Sequence, residues 1–374
     1  MIVRRRAFLA SLAALALSGS RAFAQGDAVD QIVRAEMDQR HIPGVSLAIV
    51  KGGAIVKSAA YGRMRLSPDE PAAPATIYKL DSVTKQFTAS GIMILVQQGR
   101  VRLDDPARIY LPNAPSSWDA ITIRNLLTHT SGLAHDPPSG YPPVAVQNTH
   151  PGAMLGRLFQ MQPLFEPGSR YAYSNSGYSA LAAVIQLVTG EPYLRFMRER
   201  IFDPAGMSNT WLDFMRRPDA ARATGYFWDW SGWTASRSRT TTMGAGGIQS
   251  NVFDLARWDA ALDTDRILTA ESKREMWSPF RLTDGRWHPY GFAWAIRELP
   301  GGKVVFHNGG GDGFNNAFYR FLDARLTVIV LTNLNPNCER GSHADALARQ
   351  IAPLYNPALV FPDRHHQPPL NQPT

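Results

Sequence analysis

Ser82-Val83-Thr84-Lys85 stands where a polar loop gives way to a mostly apolar segment with helical character. On a helix residues i and i+3 share a face, so Lys85 would stand one turn from the Ser82 hydroxyl. A serine hydroxyl is a poor nucleophile at neutral pH, but an amine beside it, made less basic by desolvation, can accept its proton. The amides at such a helix N-terminus add donors for a developing negative charge. The chemistry on offer is attack on a carbonyl. With 24 Ser and 6 Lys, roughly 0.4 such tetrads arise by chance in a chain of this composition. The weight comes from context: lysine is scarce here, and Phe87, Ile92, Ile94 and Leu95 make the following helix too apolar for a surface feature.

Two more polar triplets occupy similar boundaries. Tyr173-Ser174-Asn175 precedes an apolar helix over 176–189 that ends at Gly190, and His307-Asn308-Gly309, with Gly310 and Gly311 behind it, follows a strand over 303–307. The elements between them must bring the three together. An amphipathic helix over 27–40 leads into strands over 45–50 and 55–60, joined at Gly52-Gly53. From Ser82 to about residue 285 the pattern is chiefly helical, over 83–98, 123–129, 150–161, 176–189, 192–201, 251–263 and 270–277. Strand character returns over 290–296, 303–307, 317–322 and 326–331, before a closing helix over 342–352 that Pro353 ends. Strands at both ends with helices between predict an α/β (α+β) fold: one antiparallel sheet built from both chain ends, flanked by helices, with a mostly helical domain inserted. The expected divisions are a sheet domain over 25–81 and 286–356, a helical domain over 82–285 and a Pro-rich tail over 357–374.

Ser-x-x-Lys, Tyr-x-Asn and His-Asn-Gly in this order and spacing resemble the three motifs of the penicillin-recognising serine hydrolases. The branch is that of class C β-lactamases, D-alanyl-D-alanine carboxypeptidases and related esterases, with a β-lactamase/transpeptidase-like fold. Leu126 to Leu133, Glu166-Pro167-Gly168 and Gly246 to Ser250 carry the same resemblance, which covers roughly residues 27–355. It implies that Ser82 forms an acyl-enzyme, that Lys85 and Tyr173 share the proton traffic, and that Asn175 holds Lys85 and the substrate amide. Which of Lys85 and Tyr173 is the acylation base stays open at this point. The backbone N–H groups of Ser82 and Gly310 would form the oxyanion hole, and His307, Asn308 and Gly309 would border the substrate. His307 departs from the Lys-Thr-Gly that class C β-lactamases usually present, where a fixed cation helps bind the antibiotic's carboxylate. A histidine is charged only part of the time near neutral pH, and in that family His at this position is commoner among D-peptidases, D-aminopeptidases and esterases, so the resemblance implies a D-Ala-D-Ala carboxypeptidase or D-peptidase-like activity ahead of a carboxylesterase or an efficient β-lactamase. Glu166 is set aside as a water-activating base, and His129 reads as a structural hydrogen bonder.

The whole composition is that of a folded globular protein. The chain has 374 residues, 44% hydrophobic and 19% charged, with 9 Trp, 12 Tyr and 17 Phe to fill a core, which excludes disordered, collagenous and coiled-coil classes. One Cys, Cys338, excludes an internal disulfide framework and a four-Cys zinc site. Of the formal net charge of +8, half comes from Arg4, Arg5, Arg6 and Arg21 in the first 24 residues, and the remaining basic residues are scattered, so nucleic acid is not the expected partner. Those 24 residues read as a signal peptide with an apolar run over 7–17 and cleavage after Ala24; Arg5-Arg6 also fits a twin-arginine signal. A bacterial periplasmic or secreted location follows. No membrane span, metal or cofactor is expected, and the partner is a small-molecule or peptide substrate, cell-wall peptides being one source. Oligomeric state is left open, as are the carboxylesterase, class C-like β-lactamase and non-catalytic receptor alternatives.

Overall fold

Gly52 and Gly53, with φ of +60° and +84°, close a tight hairpin between β1 (Gly44–Lys51) and β2 (Ala54–Arg65). Two successive left-handed residues suit the right-handed twist of the flanking strands, and only glycine adopts that conformation freely. This computed structural model of the chain describes residues 28–138, 140–212, 221–236, 242–335 and 341–362; the expected signal peptide, Cys338 and the end of the Pro-rich tail lie outside the described residues.

The hairpin joins a seven-stranded antiparallel sheet. With β3 (Glu70–Pro71), β4 (Ala295–Leu299), β5 (Gly302–Gly311), β6 (Phe314–Phe321) and β7 (Leu326–Thr332), its order is β4-β5-β6-β7-β1-β2-β3. The sheet is thus built from both chain ends, β1 lying between β2 and β7. Val45, Leu47 and Ile49 of β1 face a core shared with the terminal helices α1 (28–40) and α4 (His343–Tyr355), while Ala48 and Val50 face the helices packed on the opposite side. Burial on both faces explains why these strands read as continuous apolar runs and not as alternating ones.

The helices on that side pack around α2 (Thr84–Gln97) and α3 (Asn175–Thr189). Nearly all of α2 is buried, as its apolar composition predicts. Gly91, costly inside a helix, lets neighbouring side chains pack close: a Cβ there would sit 2.6 Å from the Met197 methyl and 3.0 Å from the end of Ile185, and these would have to shift. Ser174 caps α3 by accepting from the Gly177 N–H, and Gly190 at φ +76° ends it.

Three expectations shift. The strand expected over 290–296 begins only at Ala295, and Tyr290 meets Ala295 in an isolated bridge. Gly291 is pressed against the Met276 carbonyl, where a Cβ would lie 2.1 Å away, and Ala293 has φ +65°, so the chain turns back before pairing. The last helix runs past Pro353 to Tyr355, because a proline in the final turn removes only one hydrogen bond. The first residues of the expected tail are packed: Leu359 is buried, and Phe361 meets Phe306 and Tyr319 edge-on.

Candidate active site

Ser82 sits in a single 3-10 turn (Asp81–Val83) that feeds α2. Asp81 before it is held at φ +47°, a left-handed conformation that aspartate tolerates better than most residues. The turn is anchored from two sides. Leu80 donates to the Ile248 carbonyl at 2.8 Å, in the small sheet where Tyr78–Lys79 pairs with Ile248–Ser250. On the other side lies β5: a Cβ on Gly309 would meet the Leu80 carbonyl at 2.1 Å and the Ser82 nitrogen at 3.2 Å, so this close approach needs glycine.

Lys85 stands one helical turn on, fully buried, with Nζ 2.9 Å from Ser82 Oγ, 2.8 Å from Asn175 Oδ1 and 3.0 Å from the Ala245 carbonyl. Burial, the largest influence, brings its amine down to about 7, against the opposing pull of the Asp136 and Asp81 charges. The three contacts suit a neutral amine. Two partners are strict acceptors and take its two hydrogens, while the Ser82 hydroxyl can donate to the remaining lone pair. Tyr173 hydrogen-bonds Ser82, and its ring lies 4.7 Å from Lys85 Nζ; burial raises the phenol well above its ordinary value, with the Ser82 hydrogen bond opposing.

Strand alternation decides what the third motif presents. Val304 and Phe306 of β5 face the terminal helices and Val305 the helical domain, so His307 faces the site and Asn308 faces away. Asn308 Nδ2 donates to Asp345 Oδ2 of α4 at 2.8 Å. His307 is buried behind Tyr173, not at the cleft surface, with its ring 6.1 Å from the Tyr173 ring. Its Nδ1 hydrogen goes to the Asn308 carbonyl at 2.5 Å, and its Nε2 accepts from the Tyr290 hydroxyl at 3.0 Å. That hydroxyl accepts in turn from His129 Nε2 at 3.1 Å, whose Nδ1 receives the Ser174 N–H at 3.1 Å. Read in this direction every donor has one acceptor and both imidazoles are neutral. Burial, then the Lys85 charge, push His307 down to about 3, and burial holds His129 well below its usual range. His307 therefore carries no fixed cation.

A cleft of about 410 Å³ opens above Ser82, bordered by Asn175, Ala245, Gly310 and Asp136. β4 pairs with β5 only as far as Phe306, so 307–311 leaves one edge of β5 open toward this cleft at Gly310. Ser82, Lys85, Tyr173 and Asn175 are thus brought together with Gly309 and Gly310; His307 lies on the same side, buried against Tyr173, while Asn308 alone points away, to Asp345. Ala245, Asp136 and Tyr290 are additional site residues: a backbone carbonyl leaves no mark in a sequence, and the other two lie outside the three motifs. Glu166 does not line the cleft, and the aromatic ribbon over 226–235 braces His41, its Trp228 stacking at 4.0 Å. Among the described residues no three His, Cys, Asp or Glu side chains gather to hold a metal ion.

Comparison with known proteins agrees with this architecture. The profile of the family described as Beta-lactamase matches residues 29–352. Penicillin-binding protein 4* of Bacillus subtilis is 31% identical over 81% of this chain and 71% of its own length. A D-aminopeptidase of Brucella anthropi is 31% identical over 79% of this chain, which spans 58% of that relative's length. The structure of an octameric penicillin-binding protein homologue from Pyrococcus abyssi superimposes with a TM-score of 0.75 at 26% identity, covering 87% of this chain and 76% of the other. A fold, an order of motifs and a sequence likeness that each extend across nearly the whole described chain have one common explanation: it belongs to the β-lactamase family, as a serine hydrolase.

Proposed function

We propose that the chain cleaves amide bonds of D-configured peptides or amides through a Ser82 acyl-enzyme. The observation that carries this reading is the Lys85 amine, buried, lowered to about 7 and 2.9 Å from Ser82 Oγ with both hydrogens of its neutral form committed to Asn175 and Ala245. Lys85 takes the Ser82 proton as Oγ bonds to the substrate carbonyl carbon. The carbonyl electron pair moves onto oxygen, which the Ser82 and Gly310 N–H groups receive. Collapse breaks the carbon–nitrogen bond, and the leaving amine takes the proton from Lys85 by way of the Tyr173 hydroxyl. Water then repeats the sequence against the acyl-enzyme and frees Ser82. Tyr173 acts as a relay, since its raised phenol makes a phenolate costly. The D-aminopeptidase relative supports the choice of substrate, and a neutral His307 ranks β-lactams below it.

A fluorophosphonate probe should attach to Ser82 and not to Ser82→Ala; equal labelling of the two sinks the reading. Within a panel of D-amino acid amides, D-Ala-D-Ala peptides, p-nitrophenyl esters and nitrocefin, D-configured amides should turn over fastest. Fastest turnover of the esters would move the chain to the carboxylesterase reading, and labelling without turnover to that of a non-catalytic receptor. Segment 4–24 supports export, with the mature chain starting near Gln25. Sequencing the N-terminus of the protein from the periplasm or medium checks this, and an intact Met1 confined to the cytoplasm contradicts it.

A further inference from the structure

The acyl-enzyme reading above leaves open what the cleft selects, and the following rests on that reading. Asn175 is the residue expected to receive the amide of a substrate's acyl group, yet both ends of its side chain are engaged within the protein. Oδ1 accepts from Lys85 at 2.8 Å, and Nδ2 donates to Asp136 Oδ1 at 3.1 Å. Asp136 is thereby held at the cleft wall, two hydrogen-bonded groups from the Ser82 hydroxyl. Tyr141 donates to the same oxygen at 2.9 Å, and His135 Nδ1 meets the other at 2.7 Å. A carboxylate offers about four acceptor positions, so these three partners leave one. The side chain is 47% exposed, and burial, which opposes ionisation, is outweighed by the His135, Asn175 and Tyr141 interactions, leaving the carboxyl at about 2.

The opposite end of the cleft is not cationic either. Lys79 reaches Asp312 at 2.5 Å and Asp81 at 3.8 Å, so the one lysine among the described cleft-lining residues is matched by two carboxylates.

We infer that Asp136 selects the substrate: its carboxylate receives the free α-ammonium of the acyl group, so the site takes amino-acid amides and peptides by an unblocked amino end and discriminates against N-acylated ones. In such a substrate the α-nitrogen stands two covalent bonds from the carbonyl carbon that Ser82 attacks, and Asp136 and Ser82 line the same cleft. An ammonium makes a charge-assisted hydrogen bond to the carboxylate. An acylated nitrogen offers only a neutral N–H, and brings a carbonyl oxygen whose donor, Asn175 Nδ2, already directs its two hydrogens to Asp136 Oδ1 at 3.1 Å and His135 Nε2 at 3.4 Å.

The test follows fluorophosphonate labelling of Ser82 with D-alaninamide or N-acetyl-D-alaninamide as competitor, in the wild type, Asp136→Asn and Asp136→Glu. D-alaninamide should protect Ser82 at a concentration at least about tenfold lower than its N-acetyl form in the wild type. The ratio should fall toward one in Asp136→Asn and return in part in Asp136→Glu, whatever the absolute labelling rate of each variant. With the matching p-nitroanilides the lost preference should lie in KM. Absence of labelling in the wild type defeats the acyl-enzyme reading and this inference with it. Labelling with equal protection by the two amides, with protection by neither, or with an unchanged ratio in Asp136→Asn overturns the role of Asp136 alone.

Discussion

Two hydrogen-bonded clusters meet at Tyr173, and they use similar parts to opposite ends. On one side Ser82, Lys85 and Asn175 surround a buried amine; on the other His129, Tyr290 and His307 form a buried series of imidazoles and phenol. Burial lowers the basicity of the amine and of both imidazoles. What separates them is the partners. Lys85 faces a hydroxyl that can either donate or accept, so its proton has two homes of comparable cost. His307 faces a phenol on one nitrogen and a fixed carbonyl on the other, and each hydrogen has one place to be. Desolvation alone makes a weak base, and an ambivalent partner turns that base into a working one.

The comparison breaks most sharply at Lys85. Lys85→Arg keeps a cation that cannot release its proton, so kcat/KM should drop on the order of 10³-fold or more, with the fold intact by circular dichroism. Near-native turnover in that variant removes Lys85 from the mechanism. In the wild type kcat/KM should climb as pH rises through about 7, because the neutral amine is the working form; an acidic limb near 4 would transfer that role to another group. The second cluster is broken at Tyr290. Tyr290→Phe strips a donor from His307 Nε2 and an acceptor from His129 Nε2, and should cost about 1–3 kcal/mol of stability in urea unfolding. No loss would show that the imidazoles satisfy each other without the phenol. The smaller expectation concerns acid. Both imidazoles bind a proton more weakly in the folded chain than in the unfolded one, so stability should decline as pH falls from about 6.5 toward 3. His307→Gln should flatten part of that slope.

Much of this was legible in the residues. The Ser-x-x-Lys spacing places an amine against a hydroxyl by helical geometry alone, and Ser174 followed by an apolar run ending in Gly190 is a capped helix. The antiparallel sheet built from both ends followed from where the β-branched runs lie. The third motif was legible only in part. Adjacent strand residues face opposite ways, so His307 and Asn308 cannot both border one cleft, and only the packed structure fixes which faces where. Asp136 lies in a Pro-rich loop with no periodicity to orient it, and reaches the site through Asn175, some forty positions further on. The turn at Gly291 was hidden because a tertiary clash, not local propensity, interrupts the strand.

The position of β1 between β2 and β7 sets the order in which a ribosome can deliver a working enzyme. Val45 must find Thr332, and Ser82 must find Gly309, so an emerging chain carries its nucleophile long before the strand that completes the pocket has been translated. Until then one side of β1 is an unsatisfied edge, open to misdirected pairing, and closure waits on contacts between the most distant parts of the polypeptide. Hydrolytic competence thus waits on the C-terminal strands, and a half-made chain lacks the pocket with which to cleave whatever it meets.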